Sequence, residues 1–183
     1  MNYCIKPRPT VYKGYRFRSR LEARWAVFFD NLRRVEWRYE PDTYDTTHGP
    51  VTPDFVISLP ASTWFVEVKP TVDHLTEQAV EKYDNLVYRH AKSLDLHHSV
   101  GWLFLIGDPK DSQEHGSSIG NMLRCGALDD SDSERLTERL ICPAFFSDNS
   151  CIEVCNDKAG ITEEIKSASR VARQYDFMQY LSN

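Results

Sequence analysis

Asp54, Glu67 and Lys69 are the residues of this chain whose types and spacing could do hydrolytic chemistry. Asp54 follows Pro53 in the segment Thr52-Pro53-Asp54-Phe55, and Glu67 and Lys69 stand two apart in Trp64-Phe65-Val66-Glu67-Val68-Lys69. Side chains alternate faces along a strand, so Glu67 and Lys69 share one side while Val66 and Val68 enter the layer behind. Two carboxylates offer the hard oxygens that Mg²⁺ prefers, and the Val68 carbonyl is a further candidate ligand. A lysine one pleat along can hydrogen-bond an attacking water or stabilise charge on a five-coordinate phosphorus. Glu22, upstream in a helical pattern, is a third acid for the same site. Two plainer readings stay open. Glu67 and Lys69 could form an ion pair on an exposed strand, which contributes little, and Glu22 could serve only to cap its helix.

The elements that must position these residues follow from period and punctuation. Residues 10–18 read as a short hairpin or an extended lead-in, with Gly14 as the turn residue. Ser19 is an N-cap with Glu22 at capping-box spacing, and Leu21, Trp25, Phe28, Phe29 and Leu32 make an apolar stripe on a helix expected to reach about Arg34. Trp25 reads as core rather than as a platform for stacking bases. Strands are expected over 35–40, 51–59 and 63–69, the last two joined by the tight connection Pro60-Ala61-Ser62. Pro70 to Asp73 breaks the sheet and starts a long helix with Leu75, Ala79, Tyr83, Leu86, His90 and Leu94 on one face. The apolar run Val100 to Ile106 suits a buried strand, parallel to a neighbour because a helix precedes it. Residues 107–140 show no convincing period and read as a loop or insertion. Short strands over 141–146 and 151–155 and a terminal helix over 161–180, with Ile165, Ala168, Val171, Tyr175 and Met178 on one side, complete the chain. The order predicts a mixed α+β layer, a central mixed sheet flanked by helices, in a single domain with its core over 10–106.

At 183 residues and 41% hydrophobic content the chain is long enough for one well-buried core. No apolar stretch approaches the roughly 20 residues that span a bilayer, and the N-terminus lacks a signal-peptide pattern, so a cytoplasmic protein is expected. Five cysteines, an odd number without a compact framework, fit reduced thiols better than disulfides. Cys125, Cys142, Cys151 and Cys155 invite a zinc reading, but no closely spaced Cys pair supports it. His97-His98 has no acid nearby at ligand spacing. The net charge of −5 argues against a polyanion partner until its distribution is considered. Residues 1–40 hold ten Lys and Arg against four acids, while an acidic stretch surrounds Asp129, Asp130, Asp132 and Glu134. A basic segment beside a carboxylate cluster is what a polyanion-binding metal site needs. Arg16, Arg18, Arg20 and Arg24, which flank Glu22, are its candidate phosphate contacts, with a merely solvated face as the alternative.

The run Pro53-Asp54, then Glu67-Val68-Lys69, with an acid in the preceding helix, resembles the PD-(D/E)XK nuclease superfamily. Tyr12-Lys13-Gly14-Tyr15-Arg16-Phe17-Arg18-Ser19-Arg20-Leu21-Glu22-Ala23-Arg24-Trp25-Ala26, followed by Tyr39-Glu40-Pro41, is similar to its phage-encoded branch, with a TnsA-like N-terminal pattern. The likeness covers about residues 10–106. It implies a restriction-endonuclease-like fold, Mg²⁺ or Mn²⁺ as cofactor, and DNA as substrate, in the bacterial host's cytoplasm if phage-encoded. It further implies Asp54 and Glu67 as metal-binding acids, Lys69 as the catalytic lysine, and Glu22 as the helix acid that completes the site. Gln78 and Lys82 fall where some members place an auxiliary polar group. Cys142-Pro143 looks like the remnant of an insertion that relatives carry with a second cysteine. A homodimer or a place in a larger complex is compatible with this pattern. Two further readings stand beside it: a nuclease-fold subunit that binds nucleic acid or protein without cutting, and a ribonuclease using the same residues.

Overall fold

The computed structural model describes residues 7–33, 35–59, 62–74, 76–91, 99–109, 122–128 and 163–177. Strands β1 (Thr10–Tyr12) and β2 (Tyr15–Phe17) form an antiparallel hairpin. Its turn carries Lys13 and Gly14 at positive φ, 46° and 82°, the two consecutive left-handed residues that match strand twist in a two-residue hairpin. Helix α1 (Arg20–Asp30) follows directly, and Ser19 is its N-cap, accepting from the Glu22 N–H. The helix ends four residues short of the expected Arg34, because Asn31 caps it with its backbone N–H on the carbonyls of Phe28 and Phe29.

The sheet is built from β3 (Glu36–Tyr39), β4 (Phe55–Leu59), β5 (Ser62–Lys69), β6 (Ser99–Ile106) and β7 (Met122–Leu128), in the spatial order β3-β4-β5-β6-β7. β5 and β6 run parallel and every other neighbouring pair is antiparallel. This is the mixed sheet expected from the sequence, including the parallel placement of the 100–106 run. β3 is one residue shorter at each end than expected, β6 starts one residue earlier, and three further boundaries differ. β4 starts at Phe55 rather than Val51, since Pro53 has no N–H to donate to a ladder, and Val51 instead forms an isolated bridge with Tyr44. Ser62, expected in the connection, opens β5 opposite Leu59. Within the stretch read as a loop, residues 122–128 form β7, paired with β6 from Val100–Leu128 onward.

Between β5 and β6 the chain makes a 3₁₀ turn over Val72–His74 and then helix α2 (Glu77–Ala91), so the helix starts later than Pro70 to Asp73 suggested. The last described helix is α3 (Glu163–Gln174). Its buried positions are Ala168, Ser169 and Ala172, whereas Val171 is exposed. The small residues face inward because α3 packs closely on α1, which leaves no room for the branched side chain that simple hydrophobicity would have put there. Tyr175 lies past the helix end. The expected strands over 141–146 and 151–155, the pair His97-His98, and Leu75, Leu94, Met178, Cys142, Cys151 and Cys155 lie outside the described residues, and the side chains of Ile165 and Cys125 do so as well.

Two apolar layers clamp the sheet. On one face Phe55, Ile57, Leu59, Trp64, Val66, Val68, Leu103 and Leu105 meet Trp25, Phe28 and Phe29 of α1 and the alanines of α3. On the other, Val56, Phe65, Val100, Trp102 and Phe104 meet Val80, Tyr83, Leu86 and Val87 of α2. Burying each large side chain contributes about 1.5–3 kcal/mol, so two such layers hold the sheet firmly between the helices. No helix among the described residues is long and apolar enough to cross a membrane.

Candidate active site

The site is built where β4 and β5 leave their dry interior. Along the hairpin the paired residues are Leu59–Ser62, Ile57–Trp64, Val56–Phe65 and Phe55–Val66. Continuing that register one residue beyond Phe55–Val66 sets Asp54 opposite Glu67. The β3–β4 register, continued one residue beyond Tyr39–Phe55, sets Glu40 opposite Asp54, and the Glu40 N–H donates to the Asp54 carbonyl at 3.0 Å. Asp54 thus stands beside Glu67 just beyond the paired residues, and Glu40 is joined to it through the backbone.

Each acid is held differently. Asp54 is 2% exposed. Its Oδ2 accepts the Val68 N–H at 2.7 Å, and its Oδ1 accepts Arg18 Nη2 at 2.6 Å. The same Arg18 nitrogen reaches Glu40 Oε1 at 2.6 Å. Glu67 Oε1 takes Lys69 Nζ at 2.5 Å, and its Oε2 takes the buried Tyr83 hydroxyl of α2 at 2.7 Å. The Glu67–Lys69 pair is therefore half-buried and anchored by a second element, unlike an ion pair on a free strand. Glu22 belongs to the α1 layer. Its Oε1 accepts from Ser19 Oγ at 2.7 Å, and its Oε2 accepts from the Tyr39 hydroxyl at 2.6 Å and the Arg18 N–H at 3.1 Å. Capping and site geometry coincide here, although the reciprocal bond of the capping box falls on the N–H of Arg18, one residue before the cap.

Burial pushes the Asp54 carboxyl up to about 8, with the charges of Glu67 and Glu22 acting in the same direction; the Val68 N–H and Arg18 oppose them. Val68 N–H and Arg18 are both donors and neither can accept a proton from Asp54, so the hydrogen bonding favours the ionised form that burial disfavours. Burial likewise works against the Arg18 charge, but Asp54, Tyr39 and Glu40 outweigh it and hold the guanidinium firmly protonated. Burial and Glu67 raise the Tyr83 hydroxyl, and burial and the bond to Glu22 raise that of Tyr39, so both remain donors.

The neighbouring elements lock this arrangement. Phe17 is fully buried, with its ring centroid 4.4 Å from that of Tyr39, which seats β2 on the sheet and brings Arg18 to the acids. The far end of β5 is tied down as well: the Gly107 N–H donates to the Lys69 carbonyl at 2.8 Å, and Trp25 Nε1 donates to the Gly107 carbonyl at 2.9 Å. Trp25 is thus core, as its stripe suggested. Gly107 sits at φ 71°, a turn that a side chain would strain.

The four arginines expected to face phosphate divide. Arg16 is exposed on β2, and Arg18 lies in the site. Arg20 is half-buried, with its Nε buried and unbonded. Arg24 is held by both oxygens of Asp108 at 2.7 Å. Gln78 is exposed on α2, and Lys82 reaches the Pro50 carbonyl at 3.4 Å. Glu40, Tyr39 and Tyr83 were not singled out by chemistry. Tyr39 and Glu40 were visible only as part of the Tyr39-Glu40-Pro41 signature, and Tyr83 only as a member of an apolar stripe.

Among the described residues no group of three or more His, Cys, Asp or Glu stands close enough to hold an ion. The carboxylate oxygens of Asp54 and Glu67 are nevertheless the hard donors that a divalent cation such as Mg²⁺ would take. No family model matches the chain, and no curated protein or solved structure matches it. The likeness to the PD-(D/E)XK superfamily rests on the motif residues themselves.

Proposed function

We propose that the protein is a Mg²⁺- or Mn²⁺-dependent endonuclease that hydrolyses phosphodiester bonds of DNA, with a site of the PD-(D/E)XK kind. The observation that carries this reading is the pairing of Asp54 with Glu67 at the open end of β4–β5, with Lys69 on Glu67 and the Val68 N–H on Asp54. Asp54 and Glu67 would hold the ion, with the Val68 carbonyl as a further ligand and Glu22 orienting a second ion or a water from the α1 side. A bound Mg²⁺ or Mn²⁺ would supply Lewis acidity at the phosphoryl group and make water a better nucleophile. Lys69, oriented by Glu67, donates hydrogen bonds to the attacking water or to the phosphoryl oxygens as water oxygen bonds to phosphorus and the P–O ester bond breaks. Tyr83 fixes the other oxygen of Glu67 and so restricts the rotation of that carboxylate. Arg16 and Arg18 supply positive charge for the backbone, which positions DNA without selecting a sequence.

The test is cleavage of DNA by the purified protein with Mg²⁺ or Mn²⁺, set against the Lys69→Ala variant. Loss of cleavage with an intact fold is expected; full cleavage by the variant would sink the mechanism. One observation favours a second reading, a nuclease-fold module that binds without cutting: every carboxylate oxygen of Asp54, Glu67 and Glu22 already has a protein donor. Calorimetric titration of Mn²⁺ in the presence of DNA separates the two, since a pure binding module takes up no ion. Matched DNA and RNA strands in the cleavage assay decide the sugar.

A further inference from the structure

Arg18 is fastened at one end and free at the other, and what that implies rests on the metal-dependent reading above. Its backbone N–H is fixed by Glu22 Oε2 at 3.1 Å and the Tyr39 hydroxyl at 3.0 Å, and the preceding Phe17 is fully buried. The main chain therefore stays in place whatever the guanidinium does. The side chain is 60% exposed, so it can leave Asp54 with little packing lost. Val68 occupies Asp54 Oδ2, which makes Oδ1 the open position, and Arg18 fills it. A guanidinium at 2.6 Å and a divalent cation repel each other there, so one must yield. Glu40 gives the displaced arginine somewhere to remain: it bonds the same nitrogen at 2.6 Å and is less enclosed than Asp54, its side chain 29% exposed against 3%. Its backbone is left-handed at φ 39°, a conformation that a non-glycine residue seldom adopts. The N–H bond to the Asp54 carbonyl holds it in that conformation.

We propose that Arg18 is the resident counter-ion of Asp54, which a divalent cation must displace, and that the released guanidinium pivots on Glu40 onto a DNA phosphate. Phosphate is the partner that the substrate brings, and its oxygens match the guanidinium fork as a carboxylate does. Metal and DNA then each favour the other's binding, because DNA draws off the arginine that blocks the ion. The coupling is reciprocal by linkage. Arg18 is on this account a positioning residue for the metal site as well as a phosphate contact.

The experiment is a calorimetric titration of Mn²⁺ into wild type and Arg18→Gln, each alone and with a short DNA duplex whose phosphorothioate linkages resist hydrolysis. Without DNA, Arg18→Gln is expected to bind Mn²⁺ about fivefold or more tightly than wild type. The duplex is expected to tighten Mn²⁺ binding about fivefold or more in wild type and to leave Arg18→Gln within about twofold. Should Arg18→Gln fail to fold, Arg18→Lys, which keeps the charge but not the fork, should show the same pattern with smaller shifts. Equal affinities without DNA, or the same DNA effect in both proteins, would overturn the exchange while leaving the metal site standing. No Mn²⁺ uptake by any protein, with or without duplex, would overturn the metal reading and the exchange together.

Discussion

Glu22 and Asp54 are buried acids bound at the two ends of one arginine, and their surroundings are opposite in kind. At the start of α1, Glu22 receives the Ser19 hydroxyl, the Arg18 N–H and the Tyr39 hydroxyl, all neutral donors fixed by the fold. The helix N-terminus adds its own favourable dipole. At the open end of β4–β5, Asp54 receives one neutral donor, the Val68 N–H, and otherwise depends on the exposed guanidinium of Arg18. Burial, Glu67 and Glu22 all oppose its charge. The first carboxylate is a completed structural contact; the second is a buried carboxyl whose ionised form only one N–H and one exposed guanidinium favour.

Exchanging the two acids for amides tests that contrast most severely. Asp54→Asn is expected to lower cleavage by about 10²–10³-fold but to change folding stability by less than about 1 kcal/mol, because its amide oxygen can keep the Val68 N–H while its NH₂ faces only the exposed Arg18 guanidinium, which can turn to Glu40. Cleavage rates and thermal unfolding of the same preparation read both effects. Glu22→Gln should behave in the reverse sense. An amide has one acceptor oxygen, so a buried donor now faces an NH₂ group, and stability is expected to fall by about 1–3 kcal/mol while cleavage falls less than in Asp54→Asn. If both amides merely destabilise, the distinction between the two regions fails.

A smaller effect sharpens the comparison through pH. The native carboxyl of Asp54 lies near about 8 against an ordinary 3.8, so between these values the native state binds more protons than the unfolded chain. This contribution therefore makes stability fall as pH rises through that window, the opposite of a salt-bridged aspartate. Denaturation followed from pH 4 to pH 8 without divalent ions should show that decline, Mg²⁺ should reduce it, and Asp54→Asn should flatten it. An unchanged slope in Asp54→Asn would place the titrating group elsewhere.

What could be read from the sequence and what could not divides along physical lines. Ser19, the turn at Gly14 and the shared side of Glu67 and Lys69 follow from local rules of capping, turn geometry and alternation, and the parallel 100–106 strand follows from the helix that precedes it. β7 escaped because its residues, with a glycine and an arginine inside the run, show no clear alternation; pairing with β6 organises them instead. The buried face of α3 departs from the expected stripe because closeness of helix packing selects small side chains over branched ones. Glu40 and Tyr83 joined the site through tertiary placement alone, one by a register across β3 and β4 and the other by the docking of α2. The basic N-terminal segment was legible as charge, but Arg24 is bound by Asp108 from a residue far along the chain, which no local pattern announces.

The most direct measurement is Mg²⁺-dependent DNA cleavage by Lys69→Ala beside wild type, with circular dichroism to compare the folds. Wild type is expected to cut only when the divalent ion is present, and Lys69→Ala, equally folded, to lose about 10²-fold or more of that rate. Equal cutting by the two proteins, or no cutting by wild type with either Mg²⁺ or Mn²⁺ on DNA or RNA, would contradict a hydrolytic centre at Asp54, Glu67 and Lys69.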